Sequence, residues 1–158
     1  MIRQPGGLPV STDRIEKIVE LKAPVERVWR ALTDHVEFGE WFRVKLNGPF
    51  AEGALSTGRI AYPGYEHLKW EARVVRMEAP RLFAFTWHFY AVDPAVDYSG
   101  EPPTLVEFRL EPMAGGARLT VVESGFDALP KHRMPEAFRM NEGGWEAQLQ
   151  NIRAHVEA

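Results

Sequence analysis

The sequence predicts an α+β domain in which helices cover one face of an antiparallel sheet. Three observations lead there. The middle of the chain alternates apolar and polar residues between turn signals, as half-buried strands do. The two ends carry helical spacing instead. The last stretch, Met134 to Ala158, puts Phe138, Asn141, Trp145, Leu149, Ile152 and Val156 on one stripe, at steps of three and four. A sheet followed by such a stripe suggests strands gripping a helix, with a cavity between them.

Taken in order, residues 1–12 contain Pro5, Gly6, Gly7 and Pro9 and read as a loose N-terminal arm. A single domain is expected over residues 13–158. Asp13 to Lys22 holds Ile15, Ile18, Val19 and Leu21 and is predicted as the first strand. Ala23-Pro24 starts a helix, with proline expected at the first helical position, where the missing N–H costs nothing. Val25, Val28, Trp29 and Leu32 form its expected buried face. Thr33 or Asp34 can cap a second short helix, His35 to Phe42. Strands are predicted at Ala54 to Tyr62, His67 to Met77 and Leu82 to Tyr90, separated by Pro63-Gly64 and Ala79-Pro80. In the last of these, Phe83, Phe85, Trp87 and Phe89 share one parity and one face. Asp93 to Pro103 reads as a loop. Val106, Phe108 and Leu110 alternate in the next strand, and Ala114-Gly115-Gly116 turns the chain into Leu119, Val121 and Glu123. A linker from Gly125 to Arg133 precedes the final helix. The order is therefore a strand, two short helices, about five or six further antiparallel strands and a long helix.

Bulk properties exclude several function classes. The 158 residues fit one domain with a sizeable core. A net charge of −3 lacks the basic excess of a general nucleic-acid binder, so no nucleic-acid partner is expected. No cysteine is present, which removes thiolate catalysis and disulfides. No segment has the pattern of a secretory signal or a membrane span, so a cytoplasmic protein without membrane insertion is expected. The histidines His35, His67, His88, His132 and His155 show no metal-ligand spacing. Neither a nucleophile elbow nor a phosphate loop is found, and no cofactor or metal is expected.

The residues that remain point to ligand binding. Trp41, Phe42, Tyr62, Tyr65, Trp70, Phe85, Trp87, Phe89, Phe126, Met140 and Trp145 are candidate walls of an apolar pocket, a type of site built from rings and a few placed polar groups. The same aromatics also suit plain core packing. Glu123 shares parity with Leu119 and Val121 and is expected either to point inward, where it must be hydrogen-bonded, or to sit in a solvated mouth at the strand end. The pair Gly143-Gly144 weakens a helix interior by roughly 1 kcal/mol per residue. Its retention suggests that something approaches the backbone there. Lys131-His132-Arg133 reads as a solvated linker.

Ala23-Pro24-Val25-Glu26-Arg27-Val28-Trp29-Arg30-Ala31-Leu32-Thr33-Asp34 followed by Trp41-Phe42 resembles the N-terminal signature of the homologues of the activator of heat-shock protein 90 ATPase. Leu82 with Phe85 and Trp87, then Glu123-Ser124-Gly125-Phe126, then Gly144-Trp145 with Leu149, match later landmarks of that family in order. The resemblance implies a helix-grip fold of the START and pollen-allergen-like (SRPBCC) superfamily, with a curved seven-stranded sheet around the C-terminal helix. It also implies an internal cavity for a hydrophobic or amphipathic small molecule. Carriers, cyclases, oxygenase domains and co-chaperones share the fold, so it does not choose among them. Non-enzymatic binding is the first reading. A cyclase or hydrolase using Glu123, Tyr62, Tyr65 or His67 in proton transfer is the second. The eukaryotic co-chaperone has an additional N-terminal domain that supplies much of its chaperone contact. With the fold starting near Asp13, that domain and a chaperone partner are not expected here. An exposed strand edge, or the loop from Asp93, is compatible with a homodimer.

Overall fold

The computed structural model describes residues 13–88 and 100–158. Among them, seven strands form one antiparallel sheet in the order β1-β7-β6-β5-β4-β3-β2. The strands are β1 (Arg14–Leu21), β2 (Val44–Leu46), β3 (Leu55–Ile60), β4 (Lys69–Glu78), β5 (Leu82–Trp87), β6 (Thr104–Met113) and β7 (Gly116–Ser124). Helices α1 (Val25–Thr33) and α2 (His35–Phe42) carry the chain from one sheet edge to the other, and α3 (Met134–Val156) closes it. This is the α+β, helix-grip-like arrangement that the alternation and the C-terminal stripe predict. The expected arm at residues 1–12, and Phe89, lie outside the described residues.

Local chemistry explains most boundaries. Pro24 is the extended residue before α1 rather than its first helical one. Its carbonyl accepts from the Arg27 and Val28 amides, so its own missing N–H is still harmless. Asp34 caps α2 by accepting from the Val36 amide at 2.9 Å. β2 escapes the sequence reading because three residues are too few for alternation to register, and its pairing of Val44, Lys45 and Leu46 with Ile60, Arg59 and Gly58 defines it. In β4 the residues Trp70, Ala72 and Val74 are buried, then a bulge between Val74 and Arg76 shifts the parity and returns Met77 to the core.

One expectation about packing is corrected. Trp29 is only half-buried; Ala31 takes the place expected of it on the inner face of α1. Among the described residues, aromatic rings take up much of the space between sheet and helices. Phe38 packs on Trp41, Phe42, Phe50 and Trp70, with ring centroids 4.9–5.6 Å apart. Trp70 continues to Phe85 and Trp87, and Phe108 to Trp145. Aromatic rings of this size consume the volume that a deep cavity would need.

The three helices are tied by one carboxylate. Glu37 of α2 accepts from Arg27 and Arg30 of α1, at 2.6 and 2.7 Å, and lies 2.9 Å from His155 of α3. Desolvation pushes the Glu37 carboxyl up. The hydrogen bonds from His155, Arg27 and Arg30 outweigh it, and the group is lowered from 4.5 to about 2. A lowered folded value means stability that is present above about 4.5 and lost as pH falls toward 2. Glu37→Gln is therefore expected to cost about 1–2 kcal/mol at neutral pH, after allowance for the exposed arginine. Urea unfolding at several pH values should show that cost shrinking to nothing near pH 2. A cost that stays constant with pH would contradict this account.

Candidate functional site

Five side chains from four elements converge behind the sheet. The cross-strand pairing of Trp87 with Thr104 puts those residues side by side on β5 and β6. Glu123, opposite Val106 on β7, shares the inward face with Leu119 and Val121. Asn141 and Trp145 stand one turn apart on α3 and face the sheet. Their polar atoms all meet at Glu123, which is fully buried. Of the two readings of Glu123, the inward one holds and the solvated mouth does not.

Every neighbour of the carboxylate donates. Oε2 accepts from Trp87 Nε1 at 2.8 Å, Thr104 Oγ1 at 2.5 Å and Asn141 Nδ2 at 3.0 Å. Oε1 accepts from Trp145 Nε1 at 2.8 Å and Asn141 Nδ2 at 3.1 Å. Burial pushes the Glu123 carboxyl above the usual carboxylate range, while Thr104, Trp87, Trp145 and Asn141 pull it back. Both oxygens are engaged by donors, so the carboxylate holds the two indoles and the amide in place.

In front of this cage lies a half-open pocket of about 50 Å³, lined by Phe42, Trp87, Asn141, Gly144, Trp145 and Gln148. Trp87 and Trp145 stack at 5.8 Å and 29°, and Phe42 stands 6.0 and 6.3 Å from them. Gln148 Nε2 donates to the Phe42 carbonyl at 3.0 Å, which fixes the end of α2 against α3. The volume suits several waters or the leading edge of one ring. A drug-sized ligand needs roughly 300–1,000 Å³.

Asn141 carries a second feature. Its Nδ2 is spent on Glu123, and its Oδ1, also buried, has no hydrogen-bond partner among the described residues. A carbonyl buried without a partner costs roughly 1–3 kcal/mol.

The glycine pair meets no strand or side chain among the described residues. A Cβ on Gly143 or Gly144 would meet nothing within 4 Å. No backbone or side chain presses on the step. Instead Gly144 borders the pocket and leaves it open. Gly143, outside the lining, serves as its control. Gly143→Ala is expected to raise stability by about 0.5–1 kcal/mol through helix propensity alone, read as a higher urea midpoint at unchanged slope. A loss of stability would mean that the glycine is needed by something not visible at that position.

The sequence candidates divide. Trp87 and Trp145 line the pocket, with Glu123 behind them. Trp41, Trp70 and Phe85 are buried core, and two have their N–H groups satisfied elsewhere: Trp41 by Ala31 O at 2.8 Å and Trp70 by Ser56 Oγ at 3.0 Å. Tyr62 is 50% exposed and packs with Tyr65 on the connection between β3 and β4. Met140 is 36% exposed. Neither Tyr62 nor Met140 lines the pocket. His67 is exposed on that same connection. Arg133 is not merely a solvated linker residue, since it pairs with Glu101 at 3.0 Å. Phe42 also lines the pocket, whereas Asn141, Gly144 and Gln148 are lining residues outside the candidate walls. The signal for Asn141 was present: it is the one polar residue on the apolar stripe, one turn before Trp145.

No group of three or more His, Asp or Glu side chains among the described residues could hold a metal ion. No helix among them is long and apolar enough to cross a membrane.

Comparison with known proteins gives a consistent picture. A family model described as "Activator of Hsp90 ATPase homolog 1-like protein" matches residues 22–157. The protein MLL2253 from Mesorhizobium loti superposes with a TM-score of 0.72 at 22% identity, covering 91% of this chain and 96% of that one. A protein from Arthrobacter aurescens gives 0.73 at 18% identity, covering 92% and 87%. DynU16, from the dynemicin biosynthetic locus, gives 0.72 at 24% identity and covers 92% of this chain. The chain spans about half of DynU16, 48% of its length. These likenesses establish the fold. A search of curated proteins gives no significant match.

Proposed function

The chain belongs to the family of activator of Hsp90 ATPase homolog 1-like proteins, and from that premise we propose that it binds a small hydrophobic or amphipathic molecule between β5, α2 and α3. One observation carries the reading. A helix interior keeps glycine at Gly144, at a cost of roughly 1 kcal/mol relative to alanine, where no atom of the described residues lies within 4 Å of an added Cβ. The room left there opens between Phe42, Trp87 and Trp145. Apolar walls with one or two polar atoms are the usual make-up of a small-molecule site.

The size of the pocket limits what enters. A ring or a short apolar head can insert, with the remainder of the molecule at the open side. Catalysis is the weaker reading, because the donors around Glu123 occupy both its oxygens, and Tyr62, Tyr65 and His67 are exposed on the connection between β3 and β4.

The test is a titration of the ¹⁵N-labelled protein with single-ring and two-ring aromatics, following the indole N–H signals of Trp87 and Trp145. Saturable shifts at these two indoles, with Trp41 and Trp70 unmoved, are expected. A matching dose-dependent rise in melting temperature should accompany them. No saturable change up to millimolar ligand would count against the pocket as a binding site.

A further inference from the structure

The outer face of the sheet treats its cations in two ways. Toward β1, Arg14 pairs with Glu16, Arg118 with Glu20 and Glu111, and Arg109 with Glu107. At the other edge, Lys45 of β2 stands opposite Arg59 of β3, and Arg59 stands opposite Lys69 of β4. Their chain neighbours Val44, Ile60 and Trp70 are buried, so the three cations point outward, and all three are exposed. None of them makes an ion pair among the described residues. Arg59 has one long contact, to the Glu66 carbonyl at 3.5 Å. Of the acids in this region, Glu66 accepts from the Gly64 amide at 2.9 Å, and Glu71 lies one row away, opposite Thr57. Like charges directly opposite one another destabilise a sheet. A lysine on an edge strand has a purpose within the fold, since it deters edge-to-edge pairing. That purpose covers Lys45 but not Arg59 and Lys69, which lie on inner strands.

Exposed apolar surface collects at the same corner. Tyr62 and Tyr65 are about half exposed on the connection that follows Arg59. The Arg43 guanidinium lies 5.7 Å from the Tyr62 ring centre, and the Arg43 carbonyl accepts from the Ala61 amide beside the row. Arg43 ends α2 with a φ of 68°, a place that glycine usually holds. Leu55, also exposed, shares the outward parity of Arg59 on β3.

We propose that this corner of the outer face docks on an anionic lipid surface, with Arg43, Lys45, Arg59 and Lys69 meeting headgroup phosphates. Tyr62 and Tyr65 sit at headgroup depth, where an amphipathic ring has one end apolar and the other wet. The contact is peripheral and inserts no helix. Charge complementarity selects the partner: the chain as a whole carries −3, so an anionic surface is repelled except where this row faces it. Three cations side by side across strands span roughly 10 Å, which suits a broad surface better than one extended acidic peptide. Bases of a nucleic acid need open rings to stack on, and Tyr62 is already engaged by Arg43 and Tyr65. The pocket at Gly144 lies on the inner side of the sheet, so docking leaves it uncovered, and the proposal stands independently of ligand binding there.

The test is co-sedimentation of the intact chain with vesicles of phosphatidylcholine alone and of phosphatidylcholine with about 30% phosphatidylglycerol. Wild type is expected to bind the anionic vesicles at low salt, to leave them at about 0.5 M salt, and to ignore the neutral ones. Lys45→Gln, Arg59→Gln and Lys69→Gln are expected to weaken binding by about fivefold each, and by roughly a hundredfold together. The matched control is Arg14→Gln, Arg109→Gln and Arg118→Gln together, which removes the same charge from the same face. It should retain most of the binding, and the contrast separates a local surface from net charge. No binding of wild type to anionic vesicles would overturn the proposal, whatever the variants do. Equal binding to neutral vesicles, or an equal loss in the control triple, would overturn it as well. Polyuridylate and polyglutamate serve as competing polyanions, and tighter binding of either than of the vesicles would reassign the surface and sink the lipid reading.

Discussion

Glu123→Gln is expected to lower the free energy of unfolding by about 2–3 kcal/mol, and Glu123→Ala by about 4–5 kcal/mol. Each indole of the cage has its own carboxylate oxygen: Trp87 uses Oε2 and Trp145 uses Oε1. Glutamine retains one oxygen and replaces the other with an N–H₂ group. One buried indole then faces a donor and loses its partner. Alanine abandons all four donors and leaves a void as well. Urea unfolding with the slope unchanged is the measurement. A loss below about 1 kcal/mol for glutamine would mean the cage does not need two acceptors.

The pH dependence adds a sign that packing alone does not predict. The folded Glu123 carboxyl titrates above 4.5 because burial disfavours its charge. A raised folded value means stability that is fully present below about 4.5 and lost as pH rises through the folded value. Wild type should therefore weaken over that rise, while Glu123→Gln shows no such trend from this site. The gap between them narrows as pH increases. Glu37 runs the opposite way, being lowered rather than raised. A Glu37→Gln background keeps its acid-side loss from overlying the Glu123 trend.

Gly144→Leu is expected to abolish ligand binding, by a hundredfold or more, while raising stability by about 1 kcal/mol. The two effects have separate origins. Leucine is among the better helix formers and glycine among the worst. Its side chain would project into a space where no atom lies within 4 Å of the new Cβ, beside Phe42, Trp87 and Trp145. Filling that space gains apolar contact and removes the pocket together. Few substitutions stabilise a protein while blocking its site, so the combination discriminates well. Gly144→Ala, with only a methyl to add, should gain a similar share of stability and weaken binding less. If Gly144→Leu kept wild-type affinity for a ligand that shifts the Trp87 and Trp145 indoles, the pocket would lie elsewhere.

The one-sided ring ladder of β5 was readable because alternation is a local property. Phe83, Phe85 and Trp87 are buried as their shared parity requires. The stripe of α3 was equally readable, since Asn141, Trp145, Leu149, Ile152 and Val156 are all buried at their helical spacing. Parity even aimed Glu123 at the core. It could not say what waited there. The donors come from β5, β6 and α3, separated from Glu123 by 36, 19, 18 and 22 residues, and no local pattern encodes such a meeting. The same limit applies to the cavity. Aromatic residues on facing elements are compatible with a hollow or a packed interior, and only the summed volume of Phe38, Trp70, Phe85, Phe108 and their neighbours decides between them. The sequence by itself determined the strands, the helices and which faces turn inward, because these follow from spacing along the chain. Tertiary structure alone decided that Glu123 is caged, that Asn141 has an acceptor to spare and that the opening lies at Gly144, because each depends on which distant side chains arrive at one point.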